Sequence, residues 1–322
     1  MVNIVVIDGY TLNPGDNPWT PLERLGSLAV HDRTSPESVV SLAQDADVLI
    51  TNKCAISAEA IEQLPKLKFI AVTATGFNAV DVAAARRRGI PVSNVPEYGT
   101  FTVAQFTWAL ILELCHRVGR HAESVAAGEW AKSPDFCYWL TPQVELAGKK
   151  LGLIGYGRIA RQVATIGRAF GMRVLASGRP GSPAPTGEEV EWLTPEEVFA
   201  KADVVSLHCP LTPQTELMVN RQLLGRMRRD AFLVNTSRGG LIHERDLADA
   251  LRAGQLAGAA VDVVSEEPIR ADNPLLGAPN CLITPHIAWT SREARERLTR
   301  VTAENVAAFL AGRPINVVNS SS

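Results

Sequence analysis

The chain has 322 residues, enough for two domains, and its 46% hydrophobic and 20% charged residues are an ordinary globular balance. Its 32 basic and 34 acidic residues are spread along the sequence and leave a net charge of −2, which argues against nucleic acid or an anionic membrane as partner. No apolar run approaches the ~18 residues of a membrane span and the N-terminus has no basic, then apolar, export signal, so a cytoplasmic location is expected.

From the N-terminus, Val2–Ile7, Val48–Thr51, Phe69–Val72 and Pro91–Val95 read as buried strands, with helical patterns at Pro36–Gln44 and Ser57–Leu64 between them. Apolar runs with little polar alternation suit parallel strands covered on both faces, so this rhythm predicts a doubly wound α/β lobe. The rhythm breaks at Phe101–Val118, a long apolar helix pattern, and at the irregular, aromatic-rich Trp130–Pro142. A second series begins at Lys150: Leu151–Ile154, Arg173–Ala176, Val204–His208, Phe232–Asn235, Gly258–Val264 and Cys281–Thr284. Six such strands match a complete dinucleotide-binding sheet. Arg292–Gly312 reads as one amphipathic helix with a stop signal at Gly312-Arg313-Pro314. Such a trailing helix often packs back on the first lobe, so residues 1–98 plus 291–322 are expected to form one lobe and 99–290 the other, joined by a hinged cleft. Cys54, Cys115, Cys137, Cys209 and Cys281 are scattered and expected as buried free thiols of a reducing compartment. Neither His nor Cys has ligand spacing, so no metal site is indicated.

The segment Leu151–Ala160 fits strand, G-x-G-x-x-A, helix. Gly155 permits the tight turn, Gly157 lets the backbone approach a pyrophosphate, and Ala160 lets the helix sit close to the strand. An NAD site usually has Asp or Glu at the end of the second strand, for the ribose 2′-hydroxyl. Here that strand end reads Ala176-Ser177-Gly178-Arg179, and no acid follows until Glu188. Gly178 stands where the carboxylate would be, and Arg179 offers a guanidinium, so NADP(H) is favoured and NAD(H) remains open.

Three further segments lie at predicted strand ends: Asn235-Thr236-Ser237-Arg238-Gly239-Gly240, Asp262-Val263-Val264-Ser265-Glu266-Glu267-Pro268 and Thr284-Pro285-His286-Ile287-Ala288-Trp289. Together with the glycine loop and Leu207-His208-Cys209-Pro210-Leu211-Thr212, in that order, they make the chain resemble the D-specific 2-hydroxyacid dehydrogenases over nearly its whole length. The resemblance implies a flavodoxin-like substrate lobe and a Rossmann lobe carrying a dimerisation segment. It also implies a catalytic trio of Arg238, Glu267 and His286. The chemistry agrees, since reducing a 2-oxo acid needs a hydride, a proton for the carbonyl oxygen and an anchor for the carboxylate. His286 is the natural proton donor, because an imidazole ordinarily titrates near ~6.5. Glu267 would bond the other ring nitrogen and favour the imidazolium, and Arg238 would hold the carboxylate and polarise the carbonyl.

The same resemblance implies cofactor contacts from Gly155, Tyr156, Gly157, Arg158, Ile159, Ser177, Gly178, Arg179, His208, Cys209, Pro210, Thr215, Thr236, Ser237, Asp262 and Ala288. Asp262 is expected at the nicotinamide carboxamide, and His208 lines the nucleotide and is not the acid. For the substrate it implies backbone N–H groups of Thr75, Gly76 and Phe77, with Arg238 and His286, and Trp139 reaching across a homodimer. The segments Asn94–Thr100, Val103–Gln105 and Trp289–Arg295 are similar to the glycerate dehydrogenase, or hydroxypyruvate and glyoxylate reductase, branch. Two other readings stay open: a dinucleotide-sensing corepressor on the same fold, and a formate or phosphite dehydrogenase.

Overall fold

A computed structural model describes residues 1–179 and 181–320. The chain forms two compact units, Met1–Gly99 with Trp289–Ser322, and Thr100–Ala288.

In the first unit, five parallel strands, β1 (Asn3–Val6), β2 (Ser27–Val30), β3 (Val48–Thr51), β4 (Phe69–Val72) and β5 (Val92–Ser93), lie in the order β2-β1-β3-β4-β5. This is the flavodoxin-like order. Alternate residues feed two cores. Ile4, Val6, Val48, Ile50, Phe69 and Ala71 pack under Ala303 and Val306 of the Arg292–Leu310 helix, while Val5, Leu49, Ile70 and Val72 pack on the other face. Phe309 of the same helix stacks on Phe69 with ring centroids 4.5 Å apart. The run therefore lacks polar alternation because neither face meets water.

The second unit has seven parallel strands, β6 (Lys150–Ile154), β7 (Arg173–Ser177), β8 (Glu191–Trp192), β9 (Val204–Leu207), β10 (Phe232–Asn235), β11 (Gly258–Val261) and β12 (Cys281–Ile283), in the order β12-β11-β10-β9-β6-β7-β8. The order reverses between β6 and β9, and the crevice beyond the carboxyl ends at such a reversal is where α/β sheets bind ligands. The Thr100–His116 helix and the Arg158–Ala169 helix cover one face, with the Trp108 indole donating to Val163 O at 3.1 Å.

Several expectations need correction. The long helix ends at His116, because Arg117 adopts a left-handed φ of 48°, and a second helix, Val118–Ala126, follows. The stretch expected to be irregular from Trp130 begins inside a one-turn helix, Glu129–Lys132. Strands β2 and β8 have no counterpart in the sequence reading. Of the five cysteines only Cys115 is buried; Cys54, Cys209 and Cys281 are half-buried, and Cys137 is exposed. Burial pushes the Cys54, Cys115 and Cys281 thiols up to about 11, which leaves them unreactive near neutrality. No helix among the described residues is long and apolar enough to cross a membrane.

Candidate active site

The carboxyl ends of β6, β7 and β9 border a cavity of about 1090 Å³, large enough for an extended dinucleotide. The turn after β6 is built by glycine. Gly155 has φ 86°, and a Cβ there would lie 2.8 Å from the backbone of His208 and Cys209. A Cβ on Gly157 would meet nothing within 4 Å, so the start of the Arg158–Ala169 helix presents bare backbone to the cavity. Helix N–H groups open in this way favour phosphate. At the end of β7, Ser177 is 2% exposed and its Oγ has no hydrogen-bond partner. An unpaired buried hydroxyl bordering a cavity fits a ligand rich in polar atoms.

Of the residues expected to hold the cofactor, Gly155, Tyr156, Gly157, Ser177, Gly178, Arg179, His208, Cys209, Pro210 and Thr215 line this cavity. His208 bonds Ser206 Oγ through Nε2 at 2.9 Å, and burial lowers its pKa to about 4, so it is neutral in the working range. Thr215 Oγ1 donates to Pro210 O at 2.7 Å and shapes the far rim. Arg158 and Ile159 lie outside the lining, with Ile159 packed on the core. Thr236, Ser237, Asp262 and Ala288 are likewise outside it, nearer the catalytic corner. There Thr236 Oγ1 meets Thr107 Oγ1 at 3.0 Å, and Ser237 Oγ donates to Leu207 O at 2.7 Å.

Arg161, Ser182 and Trp192 also line the cavity, and the sequence reading passed over all three. Arg161 lies one turn beyond Gly157, so helical spacing from the glycine loop could have found it. Ser182 and Trp192 carry no such signal, because they arrive when the chain folds back after β7. Trp192 supplies the steric reason for Gly178: a Cβ there would lie 2.5 Å from the indole ring and 2.5 Å from Ser182 Oγ. Packing is thus one reason why no acid stands at this strand end.

The catalytic corner is held by backbone. His286 Nδ1 lies 2.6 Å from Glu267 Oε2. The imidazole residue has a left-handed φ of 56°, a conformation that costs a non-glycine residue on the order of 1–2 kcal/mol. Asp262 stabilises it. Asp262 O accepts the His286 N–H at 2.8 Å, and its carboxylate accepts Thr284 Oγ1 at 2.6 Å, Ile287 N–H at 2.9 Å and Ala288 N–H at 2.8 Å. Burial pushes the Asp262 carboxyl above the usual carboxylate range, and these donors offset only part of the rise. Both carboxylate oxygens are therefore engaged in shaping the 284–288 segment.

Arg238 is exposed at the end of β10, in extended backbone, with Nη1 donating to Ser237 O at 2.7 Å. Asn235 Nδ2 ties down Arg238 O at 2.9 Å. The neighbouring Gly239 has no room for any side chain, since a Cβ would fall 1.9 Å from the Val264 carbonyl. That contact brings the Arg238 backbone against the segment that carries Glu267.

In the first unit, Thr75, Gly76 and Phe77 form the turn after β4. Thr75 Oγ1 donates to Val95 O at 2.8 Å, and Asn94 Nδ2 donates to Thr75 O at 2.7 Å. Among the described residues the three N–H groups of this turn have no protein acceptor, as an anion anchor requires. Trp139 is exposed, in a segment pinned by Leu140 N–H donating to His121 Nε2 at 2.9 Å and by Tyr138 to Ser124 at 2.9 Å.

Comparisons with known proteins give the family of the chain. Residues 108–288 match the family model "D-isomer specific 2-hydroxyacid dehydrogenase, NAD binding domain". The chain is 49% identical over 321 residues to a hydroxypyruvate reductase of Blautia hydrogenotrophica, covering 99% of this chain and 100% of that protein. It is 41% identical over 288 residues to a glycerate dehydrogenase of Methylorubrum extorquens, covering 89% and 90%. Among solved structures it superposes with TM-score 0.83 and 25% identity on an NADPH-dependent glyoxylate/hydroxypyruvate reductase of Sinorhizobium meliloti in complex with NADP and malonate, covering 98% and 96%. The chain belongs to the D-isomer specific 2-hydroxyacid dehydrogenases, oxidoreductases that act on the CH–OH group.

Proposed function

We infer that this chain reduces hydroxypyruvate or glyoxylate to the corresponding 2-hydroxy acid, with NADPH preferred over NADH. The observation that carries this reading is the 2.6 Å pair of His286 Nδ1 and Glu267 Oε2, which leaves Nε2 to hold a proton. When bound, the reduced nicotinamide supplies a hydride to the carbonyl carbon. His286 gives its Nε2 proton to the carbonyl oxygen as the C=O π bond opens, and Glu267 balances the charge on the ring meanwhile. Arg238 binds the substrate carboxylate and draws charge onto the oxygen. Within the first unit, the N–H groups of Thr75, Gly76 and Phe77 are free to take a carboxylate. The names of the two curated relatives support the substrate class.

The cofactor preference is supported by Gly178 and Arg179 at the end of β7, both on the cavity. The cofactor named for the Sinorhizobium meliloti enzyme points the same way. Assembly as a homodimer is supported by a run of exposed apolar side chains, Trp130, Phe136, Trp139 and Leu140, in which Trp139 would reach the partner's substrate. The free thiols fit a reducing, cytoplasmic setting.

The test is NADPH oxidation, followed by absorbance, with a panel of 2-oxo acids. Hydroxypyruvate and glyoxylate should exceed pyruvate in kcat/KM. Reduction of NADP⁺ by formate or phosphite instead would replace this reading, and tight NADPH binding without turnover of any acid would favour a sensing protein. A kcat/KM for NADH equal to or above that for NADPH would remove the cofactor preference, and a monomer in light scattering would remove the dimer.

A further inference from the structure

The wall of the cavity beyond the end of β7 contains a charge arrangement that the catalytic reading does not use. Arg161 and Arg179 both line it, with Ser177 and Gly178 between their two elements. Arg161 is not free there. Its Nη1 is ion-paired with Glu188 Oε1, and Glu188 Oε2 accepts the Tyr156 hydroxyl at 2.8 Å. The guanidinium also lies over the Tyr156 ring, 4.9 Å from its centroid. Tyr156 in turn meets Trp192 edge-on at 6.1 Å, the same indole that closes off Gly178. Ser182 Oγ donates to Arg179 O at 2.6 Å, and the Trp192 indole N–H donates to Ser182 O at 3.2 Å. Tyr156, Arg161 and Trp192 thus line the cavity together with Ser177, whose buried Oγ is unpaired, while Glu188, outside the lining, holds Arg161 and Tyr156.

We propose that Arg161 is a second guanidinium for the ribose 2′-phosphate of NADPH, and that Glu188 is its exchangeable counter-ion, competing with that phosphate. The proposal rests on the reading that the cofactor is phosphorylated at the ribose. Guanidinium stays charged at every working pH, and it binds phosphate with two parallel N–H donors. A carboxylate already seated on it opposes an arriving phosphate, because two anions on one cation repel. The Arg161 and Glu188 side chains are 47% and 27% exposed, so their pair is weak in water and easily exchanged. With NAD(H) no phosphate arrives and the pair stays closed. Glu188 is therefore the acid of this site, brought from the loop before β8 to the helix instead of standing at the strand end.

The test measures Kd by calorimetry for NADPH, NADH, 2′,5′-ADP and 5′-AMP with the full chain and its R161Q, E188Q, R161Q/E188Q and R179Q variants. R161Q should lower the NADPH-to-NADH affinity ratio about tenfold, as expected for loss of a charged contact. E188Q should raise the ratio about two- to fivefold, and the double variant should show no further gain from removing the acid. The ratio of 2′,5′-ADP to 5′-AMP affinity should move in parallel. A merely structural role for the pair would weaken all four ligands together, and that outcome overturns the proposal, as does an E188Q ratio that stays the same or falls. If the ratio falls in R179Q and not in R161Q, this proposal alone is lost. If it falls in neither, the phosphorylated-cofactor reading is lost with it.

Discussion

The catalytic corner and the 2′ wall of the cofactor cavity use the same kinds of side chain, arginine and glutamate, but hold them differently. Around His286 the restraints are backbone: a left-handed φ of 56°, a main-chain bond to Asp262 O, and a glycine pressed against the Val264 carbonyl. Around Arg161 they are side chain to side chain: an ion pair, a phenol hydrogen bond and a ring edge. Backbone restraints fix position to a few tenths of an ångström and fail abruptly. Side-chain pairs exchange partners at small cost. A group that must keep one position is served by the first kind of support, and a wall that must accept or refuse a phosphate by the second.

Four changes sharpen or break that contrast, from the largest expected effect to the smallest. His286→Ala should lower kcat about 10²–10⁴-fold in steady-state kinetics while NADPH affinity by calorimetry stays within a few-fold. Near-parental turnover would take His286 out of the chemistry. Gly239→Ala forces a methyl into a space whose nearest atom is 1.9 Å away and is backbone, so the two segments must part. Its melting temperature should fall by at least about 4 °C, with kcat falling too. Gly178→Ala meets mostly side-chain atoms, 2.5 Å away in Trp192 and Ser182, which can swing aside. It should weaken both cofactors about two- to tenfold with under about 1.5 kcal/mol lost in urea melts. If Gly178→Ala proved as damaging to stability as Gly239→Ala, the contrast between the two regions would collapse.

The smallest effect concerns pH. Burial holds the His208 pKa at about 4, below its ordinary 6.5, so the folded state favours the neutral ring. The stability this adds is complete above about 6.5 and is lost as pH falls through about 4. His208→Gln should therefore flatten the acid arm of the urea midpoint between those limits and leave the midpoint near pH 8 little changed. An acid arm identical to the parent's would mean His208 titrates normally.

Strands β3, β4 and β10 were legible residue for residue, because both faces of each are covered and the sequence shows uninterrupted apolar runs. Strand β2, Ser27–Val30, escaped notice because it is an edge whose residues alternate between exposed and half-buried, and β8 because two residues carry no period. The break at Arg117 was invisible for another reason: a left-handed arginine has no glycine or proline to announce it. In the site, the glycine spacing announced the phosphate turn because that turn is local backbone. The Glu188–Arg161–Tyr156 group was not announced, since residues 27 positions apart meet only through the packing of Trp192 and the loop before β8.

The crowding at Gly178 also bears on how an acid could enter this strand end over evolutionary time. In many dehydrogenases one substitution at the end of the second strand places an acid against the ribose. Here the seat for that acid is already filled by the Trp192 ring, 2.5 Å from where the new Cβ would lie. An acid there must push the indole aside, so the change is easier with two substitutions, and their order matters. Shrinking Trp192 first opens a void beside Tyr156, whereas introducing the acid first drives a carboxylate into the indole. Lineages with this tryptophan thus meet a steric step before an acid can stand at this strand end, and laboratory libraries that vary positions 178 and 192 together should return more stable acidic variants than libraries that vary 178 alone.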